Sequence, residues 1–547
     1  MENFNDRKKE VIAIIGAGIS GLLACKYCIS KGFDPIVFES ESGIGGVWRK
    51  TIESTKLQTP KPFYQFSDFP WPDSVTEMLP HQKTVLEYIE SYATHFDLVR
   101  HIKFNSKVLS LSYEDDSSSG EWNLCKGKWN VTVYQVDFVV VCLGRFSQVP
   151  NMPEFRPNNG PEAFEGQVIH SMDHSKMDSK TATNFVRGKK VAVVGFQRSG
   201  MDIAMECSTV NGVERPCTVL IRTPHWNLSD FSPWGLNLGY LYFSRFSELM
   251  VHKPGEGVLL SLLATTLSPL RWAFSKYVET YIKHKNRLAK YGMVPKHSFL
   301  NELSSCSAAL VPEGFYDRVE EGSIKLIKKA DCFGFSKEGI VLEGQAETIK
   351  SDLVILATGF KGIDKLKHIF QSTKYQEFIA GSDDSATVPL YRIVTILKAM
   401  TLAEVSAASA TVGDCTPTFF TFSSLAVSKC VDPGTRECIH PRIPQVAIIG
   451  FSESLANLYT SEIRCRWLAE LLDGKFSLPS VKMMEKDIAE WDKYKKSYSY
   501  SKYYRRSCVA ALHVWHNDQL CKDMGWNPKR KKGFWAEWFQ PYGPMDY

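Results

Sequence analysis

A glycine-rich turn near the amino terminus constrains the fold of this chain more than any other feature. Residues 11–15 form a short apolar run, and Gly16-Ala-Gly-Ile-Ser-Gly21 follows it directly. A segment with a helical apolar face comes next, and a second apolar run, residues 35–38, leads into Glu39. Strand, glycine turn, helix, strand and acid in this order are typical of a dinucleotide-binding βαβ unit.

Each part of this unit has a physical role in binding a dinucleotide. Gly16 allows a tight turn, Gly18 lets the backbone approach a pyrophosphate, and Gly21 lets the helix pack closely on the strand. The free N–H groups of the helix face the phosphates, and Glu39 accepts hydrogen bonds from a ribose. The residues predicted to bind this first cofactor are Gly16, Ala17, Gly18, Ile19, Ser20, Gly21 and Glu39.

A second, degraded glycine turn follows the apolar run at residues 190–194. Its middle glycine is replaced by Gln197, but a strand pattern precedes the turn and a helix pattern follows it. The next strand pattern, residues 218–221, leads into Arg222 instead of an acid, and arginine suits the 2′-phosphate of NADPH. We therefore predict NADPH here, with cofactor contacts from Gly195, Phe196, Gln197, Arg198, Ser199, Gly200 and Arg222.

Two dinucleotide sites, one of them selective for a phosphate, suggest an FAD that is reduced by NADPH. A disulfide reductase needs a redox-active cysteine pair. Residues 43–49, where one group carries it, contain no cysteine, and no C-x-x-C lies between Gly195 and Phe335, in the domain where another group carries it. Cys25 and Cys28 lie three apart on one face of the first helix, which indicates core packing. An amine oxidase would need no NADPH domain. A monooxygenase is the remaining interpretation.

The chain resembles the flavin-containing monooxygenases, which are class B flavoprotein monooxygenases. The family's marker, of the form F-x-G-x-x-x-H-x-x-x-[Y/F], is matched by Phe164, Gly166 and His170, but His174 replaces the final aromatic residue. The branch it is most similar to is the plant branch that includes pathogen-response N-hydroxylases. That likeness is carried by residues 56–69, 195–199 and 542–547.

The resemblance implies an NADPH- and oxygen-dependent enzyme that acts through a flavin C4a-hydroperoxide. Its partners would be dioxygen and a small soft nucleophile, with nitrogen favoured over sulfur. It also implies that Gly46, Val47 and Trp48 contact the FAD. Gln58 stands where many relatives have an asparagine beside the flavin ring, so it is the candidate catalytic residue; the alternative is that it belongs only to a loop.

Two other functions stay open on the sequence alone. One is oxidative decarboxylation of an indole-type keto acid, as in auxin-forming relatives, which the loop around Gln58 does not favour. The other is a non-oxygenating flavin-binding protein that resembles an NADPH oxidase, for which His174 and the long insertion at 393–436 are the support. Fast peroxide release by a yellow protein, with no oxygenated product, would favour this last function.

The motifs together predict an α/β fold with two Rossmann-like domains. The NADPH domain is expected at 181–345, with a helical insertion at 226–300, inside an FAD domain divided between 1–180 and 346–480. A helical tail, 481–547, completes the chain. Residues 393–436, which separate two segments that run together in the plant relatives, are interpreted as a surface insertion or as translated intron sequence. In either case the segment is expected to loop out from the FAD domain, and its deletion is expected to leave FAD content and activity unchanged or improved.

Composition limits the partners and the compartment. The 65 basic residues against 60 acidic ones, a net charge of +5 over 547 residues, argue against a nucleic-acid partner. The 14 cysteines show no framework, which indicates reduced thiols. The uncharged stretch 257–270 is shorter than the roughly 20 residues of a membrane span, which favours a buried or interfacial helix. We expect a cytoplasmic protein, or one peripheral to the endoplasmic reticulum through 257–270, without a metal site or transmembrane segment.

Overall fold

The computed structural model of the chain describes residues 10–114, 127–131, 134–146, 148–328, 332–344, 347–380, 390, 437–498, 508–510 and 512–547. The predicted insertion at 393–436 lies outside the described residues. The strands are β1 Val11–Ile15, β2 Asp34–Phe38, β3 Ile102–Lys103, β4 Leu111–Glu114, β5 Lys128–Val131, β6 Tyr134–Val136, β7 Phe138–Val141, β8 Gln167–His170, β9 Val191–Val194, β10 Cys217–Ile221, β11 Ile324–Lys328, β12 Phe333–Ser336, β13 Gly339–Leu342, β14 Ile349–Lys350, β15 Leu353–Leu356, β16 Val446–Ile448, β17 Glu453–Ser454 and β18 Cys508–Ala510.

Helices cover both large sheets and form most of the carboxyl-terminal tail. They are α1 Ile19–Ser30, α2 Gln82–His95, α3 Ser171–His174, α4 Ser179–Val186, α5 Arg198–Asn211, α6 Leu238–Tyr242, α7 Arg245–Leu249, α8 Val258–Lys285, α9 Phe299–Ser304, α10 Phe315–Glu321, α11 Gly362–Lys367, α12 Thr373–Ala380, α13 Asn457–Leu472, α14 Val481–Tyr498, α15 His513–Asp523 and α16 Phe534–Phe539.

The first large sheet is parallel and has the strand order β16-β7-β1-β2-β3. Its β16, close to the carboxyl terminus, pairs with β7, and β7 pairs with β1 near the amino terminus. The strands β1 and β7 are buried almost throughout, as expected for a parallel sheet covered on both faces. One nucleotide-binding domain is therefore built from both ends of the chain, which confirms the predicted fold class.

The second large sheet is also parallel, with the order β11-β10-β9-β15-β8. Two of its strands fall outside the predicted range 181–345, because β8 precedes that range and β15 follows it. Both strands pair within this sheet along their whole lengths. A short buried apolar strand carries no local mark of the sheet to which it belongs, so the sequence placed both strands in the other domain.

The helix α8 differs from what its sequence suggested. It runs for 28 residues and extends beyond the uncharged stretch 257–270. Its length and composition are those of a membrane-crossing helix, but a single such helix is weak evidence of a membrane span. Only 11% of its most apolar window is buried, and Val258 and Leu259 are 87% and 79% exposed. The buried alternative is therefore wrong for the first half of this helix, while the interfacial alternative remains open.

The carboxyl-terminal tail folds back onto the helical insertion. Arg245 of α7 forms ion pairs with Asp518 and Glu537, both in the tail. A disulfide joins Cys306, which follows α9, to Cys508 in β18. The prediction that the thiols are reduced is wrong for this pair, because its members are 202 residues apart in sequence and meet only through the fold of the tail.

Candidate active site

The turn between β1 and α1 needs two of its glycines for internal packing. At Gly16 the backbone has a φ of +103°, and an added Cβ would lie 2.7 Å from the carbonyl oxygen of Cys142. A Cβ at Gly21 would lie 1.8 Å from the carbonyl oxygen of Gly16. At Gly18 the nearest atom to an added Cβ is the Cα of Gly46, at an ordinary 3.5 Å, so packing within the protein does not explain this glycine.

The acid after β2 lies where the dinucleotide motif requires it. Glu39 is 6% exposed, and its carboxylate accepts N–H donors from Ala17 at 2.7 Å and from Glu41 at 2.9 Å. A carboxylate has about four acceptor positions, so capacity remains for a ribose hydroxyl. Gly18 precedes α1 and provides no side-chain cap, which leaves the N–H groups of the first turn open to a phosphate.

These groups face a cavity of about 530 Å³, a size typical of cofactor sites. Its wall includes eight of the predicted residues: Gly16, Gly18, Ile19, Ser20, Glu39, Gly46, Val47 and Trp48. Ala17 and Gly21 support the turn behind the wall, through the hydrogen bond to Glu39 and the contact with Gly16. The donors, the acid and the uncapped helix therefore fit FAD.

Several cavity residues were not predicted, because they come from distant parts of the chain. Arg145 and Glu453 line the wall and form an ion pair of 3.5 Å. Lys365 of α11 also lines it; burial lowers the pKa of its ammonium group to about 8, and the group donates to the carbonyl of Leu143. Among these distant segments, Gly450 is the residue whose type could have indicated a place beside the turn. It follows β16 with a φ of +82°, and an added Cβ would lie 2.4 Å from Ser20 Oγ.

The second glycine turn repeats the packing of the first. Gly195 has a φ of +124°, and a Cβ there would lie 2.4 Å from the carbonyl oxygen of Ala357. A Cβ at Gly200 would lie 2.3 Å from the carbonyl oxygen of Gly195. Gln197 stands at the start of α5 with an ordinary extended φ of −112° and no side-chain cap, so the helix terminus is open here too. Phe196 is buried.

Strand register refines the assignment of Arg222. In the first unit Ile15 pairs with Phe38, so Glu39 lies opposite Gly16. In the second unit Val194 pairs with Leu220, so the position equivalent to Glu39 is the buried Ile221, and Arg222 comes one residue later. Because Ile221 is apolar, no carboxylate at this position repels the 2′-phosphate of NADPH. The neighbouring Arg222 is exposed and can bind that phosphate.

A buried carboxylate fixes the loop after Arg222. Glu302 of α9 accepts the backbone N–H of Trp226 at 3.0 Å and lies 2.8 Å from Nδ1 of His225. Burial alone would raise the pKa of Glu302, but hydrogen bonds with His225 and His297 outweigh it and lower that pKa to about 2. The ligand atoms of these three side chains lie within 4.8 Å of one another and already satisfy each other, so we assign them to structure.

A chain of hydrogen bonds joins the two domains beside the cofactor turns. Thr55 donates to Asp202 of α5 at 2.8 Å, and Arg198 donates to Asp202 at 2.9 Å and to the carbonyl of Leu310 at 3.0 Å. The N–H of Leu310 donates to Oε1 of Gln58 at 3.2 Å. The structure thus places Gln58 at the domain junction, where its side chain is exposed. Gln58 does not line the described wall of the 530 Å³ cavity.

The family marker also lies at the domain junction. His170, at the end of β8, packs edge-on against Phe360, and burial lowers the pKa of its imidazole. His174, the residue that departs from the marker, lies 2.9 Å from Glu206 of α5 through its Nε2. Ser54 donates to the other carboxylate oxygen of Glu206 at 2.7 Å. Glu206 therefore connects the loop near Gln58 to the second domain, and His174 holds its carboxylate from within that domain.

Two parallel nucleotide-binding sheets, an FAD-sized cavity and a second turn with an adjacent arginine define a flavoprotein oxidoreductase reduced by a pyridine nucleotide. The family description "Flavin-binding monooxygenase-like" matches residues 8–369. The "Probable flavin-containing monooxygenase 1" of Arabidopsis thaliana is 37% identical over 100% of this chain and 97% of its own length. The chain belongs to the flavin-binding monooxygenase-like family.

Two further comparisons extend the likeness. The "Dimethylaniline monooxygenase [N-oxide-forming] 2" of Rattus norvegicus is 28% identical over 88% of this chain and 76% of its own length. The crystal structure of OTEMO in complex with FAD and NADP superposes with a TM-score of 0.61 at 15% identity, covering 94% of this chain and 98% of that one. The protein is an oxidoreductase of the monooxygenase class, and its cofactors are FAD and NADPH.

Proposed function

We propose that the enzyme transfers one oxygen atom from dioxygen to a soft nucleophile, with amine nitrogen as the preferred acceptor and sulfur as the second candidate. Bound FAD, once reduced by NADPH, supplies the activation of oxygen. The protein contributes the binding and orientation of both cofactors, through the open termini of α1 and α5 and the hydrogen bonds that join the domains.

The carboxylates of the cavity carry this proposal. Three glutamates line its described wall, and each has a protein partner: Glu39 the N–H of Ala17, Glu41 the ammonium of Lys50 at 2.6 Å, and Glu453 the guanidinium of Arg145. None of them is therefore a base without other contacts. A nucleophile that attacks with its own lone pair needs no such base. The N-oxide-forming activity in the rat relative's name supports nitrogen as the acceptor.

Mass spectrometry of products tests this function. The purified enzyme with NADPH and ¹⁸O-labelled dioxygen should add one labelled oxygen to members of a panel of amines and amino acids, and more slowly to thioethers. A matched panel of indole-type keto acids should stay intact. NADPH consumption that yields only hydrogen peroxide over the whole panel would instead indicate an oxidase, and carbon dioxide release from the keto acids would indicate decarboxylation.

We also propose that the protein is cytoplasmic and works at the surface of the endoplasmic reticulum through residues 257–270. The first turns of α8 expose an apolar face: Val258, Leu259, Leu262 and Leu263 lie within an arc of about 140° around the helix axis and are 87%, 79%, 60% and 37% exposed. The opposite side carries Ala264, which is buried against the protein. An exposed apolar face on one side is typical of a helix that lies in the plane of the membrane interface.

Co-flotation with lipid vesicles tests this contact. The protein should float with phosphatidylcholine vesicles, and Leu259→Asp with Leu262→Asp should weaken this binding at least about tenfold, because each buried leucine contributes about 1.5–3 kcal/mol. Val213→Asp is the control, since Val213 is 57% exposed in the NADPH domain but outside the helix. Equal flotation of all three proteins would remove the basis for the proposal.

A further inference from the structure

The disulfide between Cys306 and Cys508 connects two structures that border the active site. Cys306 is half-buried in the NADPH domain, and Cys508 is buried in β18 of the tail. The strand β18 pairs in parallel with β17, and Glu453 of β17 lines the FAD cavity. The bond therefore crosses from the NADPH domain to the wall of the FAD site.

On the NADPH side, the disulfide anchors a short segment that holds the domain junction. The segment 305–311 contains both Cys306 and Leu310. The backbone N–H of Leu310 binds Gln58, and its carbonyl binds Arg198. Leu228 fixes the same segment from behind, since its N–H donates to the carbonyl of Ala309 at 2.8 Å and its carbonyl accepts from Val311 at 2.7 Å. Only three residues separate the bonded sulfur from the contact with both cofactor domains.

Both ends of the disulfide lie next to unusual backbone conformations. Cys306 has a φ of +48°, and Ala510, two residues after Cys508, also has a φ of +48°. Residues with a Cβ are disfavoured in this left-handed region and remain there only when their surroundings hold them. A covalent link between the two segments is such a constraint, so we expect its loss to let both segments relax.

We propose that Cys306 and Cys508 form a thiol–disulfide exchange site through which a dithiol reductant controls how firmly residues 305–311 hold the two cofactor domains together. A reductant thiolate attacks Cys306 Sγ, the more accessible sulfur; the S–S bond breaks, and Cys508 leaves as a thiolate that takes up a proton. The second reductant thiol then displaces Cys306. Two electrons and two protons enter the protein, and the dithiol becomes a disulfide.

The reverse reaction needs a two-electron oxidant, for which a peroxide suffices. One cysteine thiolate is oxidised by the peroxide to a sulfenic acid, and the other displaces hydroxide from it to restore the disulfide. Per pair, one hydrogen peroxide molecule is reduced to two water molecules. The oxidised form is the one with an assembled junction, so oxidising conditions favour tight binding of NADP(H). This inference does not depend on which nucleophile the enzyme oxygenates.

A redox titration of the intact flavoprotein tests the inference. The protein is equilibrated with mixtures of reduced and oxidised dithiothreitol, and the Cys306–Cys508 pair is followed by alkylation and peptide mass spectrometry. On reduction we expect NADP⁺ binding, measured by calorimetry, to weaken about fivefold, the lower end of the range for coupled sites. Hydrogen exchange in residues 305–311 should rise, and more peroxide should form per NADPH consumed.

Variants separate this site from other effects of the reductant. Cys306→Ser and Cys508→Ser should each show the reduced behaviour with or without dithiothreitol. Cys332→Ser, which changes an exposed cysteine outside the disulfide, should respond as the natural protein does. If the serine variants do not fold, the titration of the natural protein decides alone. Identical NADP⁺ affinity and hydrogen exchange in both redox forms, or a pair that oxidised dithiothreitol never closes, would overturn the proposal.

Discussion

A folded but colourless protein is the expected result of Gly18→Ala. The φ of Gly18 is −77°, which alanine adopts readily, and the added Cβ would meet the Cα of Gly46 at 3.5 Å. The polypeptide alone therefore tolerates the methyl group. The pyrophosphate of FAD, which must pass close to this backbone, does not. We expect FAD affinity to fall at least about a hundredfold, equivalent to about 2.8 kcal/mol.

Two glycine variants make the interpretation of this experiment sharp. Gly257 begins α8 with a φ of −72° and open space around an added Cβ, so Gly257→Ala should keep its flavin. Gly21→Ala would place a Cβ 1.8 Å from a backbone oxygen and should impair folding itself. The measurements are flavin absorbance per protein and thermal unfolding of the apoprotein. A Gly18→Ala protein that retains stoichiometric FAD would show that this turn does not bind the pyrophosphate.

The cofactor turns could be predicted because the βαβ unit is local. Gly16, Gly18, Gly21 and Glu39 lie within one short stretch of chain, and the chemistry of close backbone approach assigns a role to each. The structure brings them to one cavity as that chemistry requires. Glycine reports backbone geometry directly, so a turn that needs it is visible in the sequence without knowledge of the rest of the fold.

What the sequence did not show depends on contacts between distant segments. The wall of the FAD cavity formed by Arg145, Lys365 and Glu453 appears only when β16 pairs with β7 and α11 packs at the end of β7. The bond between Cys306 and Cys508 requires the tail to return to the NADPH domain. Single polar or cysteine residues carry no signal of such partners. The position of Gln58, predicted beside the flavin, depends in the same way on how the two domains meet at Leu310.

The largest change in cofactor selectivity is expected from Arg222→Ser. Arg222 follows the carboxyl end of β10, the edge at which parallel sheets bind nucleotides, and it is exposed. A guanidinium binds a phosphate through two charge-assisted hydrogen bonds. Loss of this pair should raise the KM for NADPH about ten- to a hundredfold, because one charge-assisted hydrogen bond contributes about 1.5–3 kcal/mol and solvent screening at this exposed site keeps the pair below the sum of two. The KM for NADH, which lacks the phosphate, should change little.

Arg215 provides a matched control near the opposite end of β10. It is exposed like Arg222 but lies two residues before β10 begins, at the opposite edge of the sheet. Arg215→Ser should leave both KM values unchanged, and Arg222→Lys, which keeps the charge without the planar fork, should fall between the natural protein and Arg222→Ser. Steady-state kinetics with both nucleotides measure this. Because the position equivalent to Glu39 is the apolar Ile221, selectivity rests on attraction by Arg222 and not on repulsion of NADH. Equal losses with NADPH and NADH would therefore assign Arg222 to structure and leave phosphate recognition to another residue.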